Sequence, residues 1–500
     1  MEKKEKPAKK EKASKTGPSF GKNLLHGMAW STRNISFTVV NTLIVTYISF
    51  YATDVLGMKA AMISTVLLIS KLLDGVSDLI AGFIVDNTHT KWGKARPYDW
   101  CTVMIGIFVV LLFSTPHFNM YLQAVWIFVM YVLVMAVFNT MIGASDPVYL
   151  LRAFPQEGER NSVFSISTVF AQFISITMNV FIPKMVANAG TDGGAWTKMV
   201  LMCMIPLTMI GMIRFFAIKE VVPDEYANET KEERKARRAA NKAEKTSKGS
   251  VGFKDGMKAI FENQYILIFT LAIFIIVIAS GFLNTASVYY FKYIVGDIEK
   301  QKYVAMGSYA MLAMLVGFLP LSKLIGKGRL MKIGLVIASV GNVIRWIGGA
   351  NDLTLLIGMA LLMMGIVPVA IYFPLYLFDI MDYSEWKTGK RVEGVLAVFP
   401  NFANKVASGL SVSLGGYVLA WAGYDGTAAT QTEKALKAID WCFNGIPTAL
   451  MVVMTVIILV FYNIDKKMPQ ITKDLAERRG VTENVPDLEA EDSEAVKEEV

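Results

Sequence analysis

Two carboxylates stand four residues apart in the otherwise apolar stretch "KLLDGVSDLIAGFIVD", which runs from Lys71 through Asp74 and Asp78 to Asp86. Four helical residues turn the chain through about 400°, so Asp74 and Asp78 lie one above the other, and Lys71 joins the same face. An ionised group near the centre of a bilayer costs roughly 2.5–3.5 kcal/mol on insertion scales and therefore faces a partner or an aqueous cavity. Stacked carboxylates repel unless a cation lies between them. Hard cations take carboxylate oxygens and exchange them for water, which makes Asp74 and Asp78 a candidate cation site. The structural alternative is a cluster neutralised by Lys71 and a proton. A second buried charge, Lys405 in "FPNFANKVASGL", has Asn401 one turn earlier on its face. It lies too deep to snorkel easily and needs a negative partner. Asp74 and Asp78 are the economical candidates, since no carboxylate is evident at that depth nearby. Asp146 precedes Pro147 in "GASDPVY", where the backbone is pushed out of the helical region. It is either a helix-ending turn or a polar site.

These residues need apolar elements to hold them, and the composition supplies them. Hydrophobic residues make up 54% of the 500 and the mean hydropathy is +0.43, too apolar for an ordinary soluble enzyme. Crossing a ~30 Å hydrocarbon core takes roughly 20 apolar residues in a helix. By that criterion about twelve spans are expected, over 27–51, 60–86, 99–116, 120–146, 162–187, 197–219, 264–291, 303–326, 330–349, 353–380, 394–423 and 438–463. The expectation is an all-α membrane protein in two six-helix halves, 27–219 and 263–463. A basic segment precedes them at 1–26, a charged linker joins them at 220–262, and an acidic tail follows at 464–500.

Lys and Arg alternate between the loops as retention of positive charge on the cytoplasmic side requires. Lys91, Lys94 and Arg96 follow the second span, Lys323, Lys327, Arg329 and Lys332 the eighth, and Lys387, Lys390 and Arg391 the tenth. "TPHFNM" and "GGANDL", on the other side, carry neither residue. Only Lys292, Lys300 and Lys302, between spans seven and eight, blur the rule. The Lys-rich start is too polar for a signal sequence. Both termini are therefore expected inside a plasma membrane, with the net charge of +8 belonging to inner loops and lipid headgroups rather than to nucleic-acid binding. Cys101, Cys203 and Cys442 form no disulfide or metal-ligand pattern. His26, His89 and His117 are scattered and begin no catalytic motif, so an enzyme is not expected.

"FYATDVLG", "KLLDGVSDLIAGFIVDNTHTKWGKARPY" and "YLFDIMDYSEWKTGKRVEG", followed by Lys405 in the next helix, resemble the glycoside-pentoside-hexuronide:cation symporters, typified by the melibiose carrier. The resemblance runs from about Gly27 to Asp465. It implies a major facilitator fold of two six-helix bundles and uptake of a sugar coupled to Na+, Li+ or H+, with no cofactor and no obligate protein partner. By the same resemblance Asp74 and Asp78 match the cation ligands, as the metal site if the ion is Na+ or Li+, and Lys405 matches a lysine linking cation and sugar sites. Lys71 stands where the melibiose carrier has arginine. Asp86, Lys91, Lys94 and Arg96, with Asp379, Asp382 and Arg391, resemble an inner gate of charge pairs between halves.

The departures bear on the sugar. The helix-one carboxylate of the melibiose carrier is absent, with Arg33 and Asn34 in the nearest register, and the helix-four aspartate falls on Ser145, leaving Asp146 one residue out of step. There is no arginine from Asn161 to Pro183. A site with Arg33 and an incompletely neutralised Lys405 would be tilted positive and could pair with a sugar carboxylate, because arginine bonds carboxylates through two parallel hydrogen bonds. Asn34, Asn401 and Tyr149 would contact hydroxyls. Neutral glycosides or pentosides and hexuronides are thus both open, and a carrier of a lysolipid or other amphiphile, which needs a long apolar groove, is the alternative.

Overall fold

The structure, a computed structural model, describes residues 20–222, 260–370, 372–389, 393–428 and 430–478. Apolar runs become helices because, in hydrocarbon, each backbone N–H and C=O must be satisfied within its own segment. Among the described residues, nine helices are long and apolar enough to cross a membrane. They are α1 Gly21–Val55, α4 Met120–Ala153, α5 Glu157–Ala189, α6 Gly193–Ala217, α7 Gln264–Val295, α8 Ile298–Ile325, α9 Lys327–Gly348, α10 Asp352–Thr388 and α12 Glu433–Lys466.

Three more helices occupy the remaining expected places. α2 Ala60–Asp86 carries the carboxylates, α3 Cys101–Leu112 is short and entered by a 3-10 turn over Arg96–Trp100, and α11 Glu393–Trp421 carries Lys405. Beyond the last span the chain continues in helix where the sequence reading begins an acidic tail. This helix, α13 Met468–Arg478, buries Ile471 and Leu475 and is tied to α10 by the Trp386 indole, which donates to Asp474 at 2.6 Å.

The hairpin order gives the bundle two ends. The linker end carries the loops 87–100 and 218–222, and the far end carries Val55, Val295 and Trp421. In the first half α1 packs on α5 and α6, α3 on α6, and α2 on α4; in the second, α7 packs on α11 and α12, and α9 on α10 and α12. The halves meet along α2 and α11, α5 and α8, and α1 and α7.

Lipid supplies no hydrophobic drive between helices, so close backbone approach through small residues does much of the joining. α9 and α10 touch through facing glycines: a Cβ on Gly341 would sit 2.6 Å from the Gly358 carbonyl oxygen, and one on Gly334 2.6 Å from that of Gly365. The seam between halves uses the same device. A Cβ on Gly409 of α11 would lie 3.3 Å from the Lys71 Cβ, and one on Gly416 would collide with the Ser64 hydroxyl of α2. These glycines bring the α2 carboxylates within reach of Lys405.

Overpacking a close-fitting contact costs about 1–3 kcal/mol. Gly341→Leu is therefore expected to lower the Tm of the detergent-solubilised protein, and an unchanged Tm would contradict the α9–α10 contact.

Candidate transport site

On α2 and α11 the charges meet in pairs. Lys405 is ion-paired with Asp78 across the two halves, and both side chains are substantially exposed, 45% and 39%. One turn away Lys71 Nζ lies 3.5 Å from Asp74 Oδ2, and the Thr140 hydroxyl donates to Asp74 Oδ1 at 3.2 Å. A π-helical stretch, Val132–Asn139, immediately precedes Thr140; such stretches re-aim the residues that follow and recur at functional sites. The Lys71 ammonium also stands 6.0 Å from the Tyr131 ring centre. Two carboxylates and two ammonium groups thus balance in this conformation. Asn401, one turn before Lys405, is exposed and lines a separate cavity of about 180 Å³ against α7 and α10.

The helix-one and helix-four candidates come together inside the first half. Arg33 donates to Asn34 Oδ1 at 2.7 Å and is ion-paired with Asp146. Asp146 also accepts from Arg214 Nη1 at 2.9 Å, and Arg214 is paired with Asp99 at the start of α3. Arg214 is fully buried, with its guanidinium 4.7 Å from the Trp30 ring centre and 5.0 Å from that of Tyr149. Tyr149 is itself fully buried and gives its hydroxyl to the Ile218 carbonyl at 2.8 Å. Two arginines and two aspartates therefore neutralise one another. The positive tilt expected of Arg33 is cancelled by Asp146, and the hydroxyl expected of Tyr149 is spent on the backbone. Arg214 was missed, although an arginine inside an apolar run is the same signal that marks Lys405.

At the linker end the basic loop is fastened differently from the expected gate. Glu220, just past α6, accepts the backbone N–H groups of Lys94, Ala95 and Arg96 at 3.0, 2.7 and 2.8 Å and the Arg152 Nε at 2.6 Å. A Cβ on Gly93, whose φ is +119°, would run into the Glu220 carboxylate. Only glycine takes that backbone freely and leaves the room. The Arg96 side chain donates to the Phe215 carbonyl at 3.0 and 2.7 Å, and Lys91 is exposed. Asp379 accepts from Lys327 at 2.6 Å within the second half, and Asp382 lies one turn further along α10, partly buried. Asp86 ends α2 but its side chain lies outside the described residues, as does Arg391.

The far end holds a cluster the sequence reading did not assign. Asp54, its side chain fully buried, accepts from Lys292 at 2.5 Å, from the Tyr293 hydroxyl at 2.8 Å and from the Tyr424 hydroxyl at 2.7 Å. All three donors come from the other half. The Thr53 hydroxyl lies 3.0 Å from that of Tyr289, and the Tyr47 hydroxyl donates to Gln301 at 2.9 Å. π-helical turns over Tyr51–Val55 and Phe291–Val295 carry Asp54 and Lys292. The lysines that blur the charge rule are thereby explained. Lys292 is neutralised by Asp54, Lys300 pairs with Asp352 at 3.0 Å, and Lys302 lies over the Tyr303 ring.

A bundle that is all-helical among the described residues, in two halves with ion pairs along the seam, defines a membrane carrier of the major facilitator fold rather than an enzyme. The chain belongs to the family described as MFS/sugar transport protein, whose profile matches residues 32–466. It is 29% identical to the isoprimeverose transporter of Lactiplantibacillus pentosus over 89% of each chain. It is 23% identical to the inner membrane symporter YicJ of Escherichia coli (strain K12), over 88% of this chain and 91% of that one. It is also 23% identical to the lactose permease of Lactobacillus helveticus, over 83% of this chain and 64% of that one. Among solved structures, a proton-dependent oligopeptide transporter superposes with a TM-score of 0.60 at 14% identity, covering 89% of this chain and all 100% of that one. A D-xylose-proton symporter superposes at 0.52 with 15% identity, covering 87% and 96%. At these identities the structures establish the fold. The relatives establish the broader role, sugar transport across a membrane that the chain spans many times.

Removing one partner of a buried ion pair costs about 3–5 kcal/mol because the other charge is left unmatched. Asp54→Asn should therefore loosen the far end. In a background with Cys101, Cys203 and Cys442 changed to Ser, an Ala305→Cys thiol should be alkylated faster, and Asp54→Asn with Lys292→Met should undo part of the increase. Unchanged labelling in Asp54→Asn would mean that the cluster does not close this end.

Proposed function

We propose that this chain is a cation-coupled symporter of a neutral glycoside or pentoside, working by alternating access in the cell membrane with the linker end and both termini in the cytoplasm. The observation that carries the reading is the pair of Lys405 and Asp78 across the halves, beside Lys71 and Asp74. A monovalent cation, Na+, Li+ or H+, held by Asp74 and Asp78 takes the charge that Lys405 otherwise supplies. Lys405 is then released from α2 and its ammonium becomes a donor for the sugar. Ion binding and sugar binding are coupled because one lysine serves both.

The conformation fits a carrier closed at the outer, far end by the Asp54 cluster and open toward the cytoplasm, where Asp78 and Lys405 are exposed. The Arg96 side chain on the Phe215 carbonyl and the Lys327–Asp379 pair hold each half together at the linker end, and new charge pairs between halves would form there when the cytoplasmic side closes. Lys91, Lys94, Asp86 and Asp382 stand on the elements that would meet there, and Arg391 falls in sequence between α10 and α11. A neutral substrate is favoured over a hexuronide because Arg33 is already matched by Asp146. The relatives named for isoprimeverose and lactose speak for a neutral sugar and those named putative sulfoquinovose importers for an anionic one, so the choice rests on the Arg33–Asp146 pair.

Proteoliposomes given isoprimeverose, lactose, D-xylose and glucuronides, with Na+, Li+ and H+ gradients imposed one at a time, test the reading. Accumulation of a neutral sugar driven by one gradient is expected. Asp74→Asn or Asp78→Asn should abolish accumulation more severely than sugar exchange, since losing a cation ligand uncouples the gradient before it destroys the pathway. Unaltered cation stimulation in both variants would remove the cation site from Asp74 and Asp78.

A further inference from the structure

Within the second half α9 and α12 run antiparallel, joined by a ladder of polar contacts. The Ser339 and Thr455 hydroxyls lie 2.8 Å apart, Thr455 donates to the Leu335 carbonyl at 3.2 Å, and Lys332 Nζ donates to Asn463 Oδ1 at 3.2 Å. Each residue after a rung of this ladder is turned about 100° from the contact, and in an antiparallel pair both helices turn that residue to the same side. Val336 and Val340 of α9 and Val456 of α12 stand there, all exposed, and Leu459, one turn after Thr455, continues the row. They flank an apolar groove that opens toward lipid. Gly334 and Gly341, which meet α10, each precede a rung and face the other way.

At the linker end the groove runs up to a group of bases. Arg329, three residues before Lys332, and Lys466, three after Asn463, are both exposed, and among the described residues neither has an ion-pair or hydrogen-bond partner. Lys332 spends one ammonium hydrogen on Asn463 and has two more to give. The acid beside them is Asp465, partly buried, its carboxylate set against Gly328, where a Cβ would collide with it. Asp465 stands among Lys332, Lys327 and Arg329, and Lys327 is already matched by Asp379. One carboxylate does not neutralise the bases that remain. In the first half the corresponding end is settled by the protein itself, with Arg152 on Glu220 and Arg96 on the Phe215 carbonyl.

We propose that this groove binds an anionic phospholipid, with its acyl chains along Val336, Val340, Val456 and Leu459 and its headgroup on Arg329, Lys332 and Lys466. Such a lipid brings in one molecule what the site calls for: negative charge at the end of the helices and an apolar body directly below it. Basic groups between membrane helices on the cytoplasmic side recognise headgroups of this kind. The inner leaflet as its source rests on the orientation proposed above, whereas the binding itself does not. A zwitterionic lipid would fill the groove and leave the bases unmatched. The acidic stretch "DLEAEDSEAVKEEV" of the chain itself could match the bases but brings no acyl chain for the groove. Because both walls belong to one half, a bound lipid ties α12 to α9 and travels with that half, so its effect falls on stability rather than on coupling.

The test titrates the full-length protein, in an uncharged detergent, with phosphatidylglycerol or with phosphatidylcholine of the same chains, and reads bound lipid by native mass spectrometry together with Tm. Phosphatidylglycerol is expected to bind about tenfold more tightly, as a few bases beside an anionic headgroup provide, and to raise Tm further. Arg329→Gln with Lys466→Gln should remove most of that preference. Lys22→Gln with Lys219→Gln, two exposed bases at the same end of the first half, should keep it within about twofold. Arg329→Gln alone serves if the double variant does not fold, and should lose part of the preference. Equal binding of the two lipids by wild type, or a preference untouched in the folded variants, would mean unspecific annular lipid and overturn the site. In membranes, Ile333→benzoylphenylalanine, exposed beside the groove, should crosslink to phospholipid on illumination. Crosslinking to residues 479–500 instead would assign the bases to the acidic tail and overturn the lipid site as well. Symport is read separately, from sugar accumulation, and stands or falls independently of these outcomes.

Discussion

A charge inside a low-dielectric layer has to be met by an opposite charge, and much of this structure follows from how those debts are settled. Desolvation alone costs several kcal/mol per ion, so each pairing fixes where helices stand. Arg214 draws Asp99 and Asp146 together and so ties α3, α4 and α6, while Arg33 adds α1. Arg152 with Glu220 and Lys327 with Asp379 do the same near the linker end. These pairs lie within one half and make each bundle a rigid body. The pairs Asp54 with Lys292 and Asp78 with Lys405 lie between halves. A carrier that rocks its halves keeps the first kind intact and trades the second.

The places of the helices were legible because an apolar run of membrane length has few other fates. The partner of Lys405 was legible for a related reason: a base buried in hydrocarbon advertises its need, and only α2 had acids at the right depth. Tyr149 and Asp146 were read as sugar contacts because their immediate neighbours in sequence do not reveal that Arg214, 68 residues away from Asp146, would claim the aspartate first and that the Ile218 carbonyl would take the tyrosine hydroxyl. Asp54 and Lys292 went unassigned for want of treating them together. Each is an isolated charge at the far end, and two anomalies of opposite sign at one end of a bundle are a pairing signal.

At the loop after α2 the residues were marked by their side chains, whereas Glu220 is held by their backbone N–H groups. A main-chain nest of that kind depends on dihedral angles, and Gly93 was its one visible trace. A cavity of about 220 Å³ between the halves, walled in part by Thr46, Asn179, Ser287 and Gln301, left no mark for a similar reason. Threonine, serine, asparagine and glutamine are common enough in helices that only their convergence from four helices distinguishes them.

The π-helical turns of α1 give that helix two phases. From Phe20 to Thr42 it packs on α5 and α6 of its own half, and from Leu43 to Tyr47 it packs on α7 of the other. Successive helical residues are set about 100° apart, so the register of the turn over Leu43–Tyr47 decides which direction everything after it faces. Deleting one residue there would leave the Arg33 network in place and swing Asp54 away from Lys292 by about a quarter turn. Length in this segment is therefore constrained more tightly than composition: apolar residues there are interchangeable in chemistry but not in number.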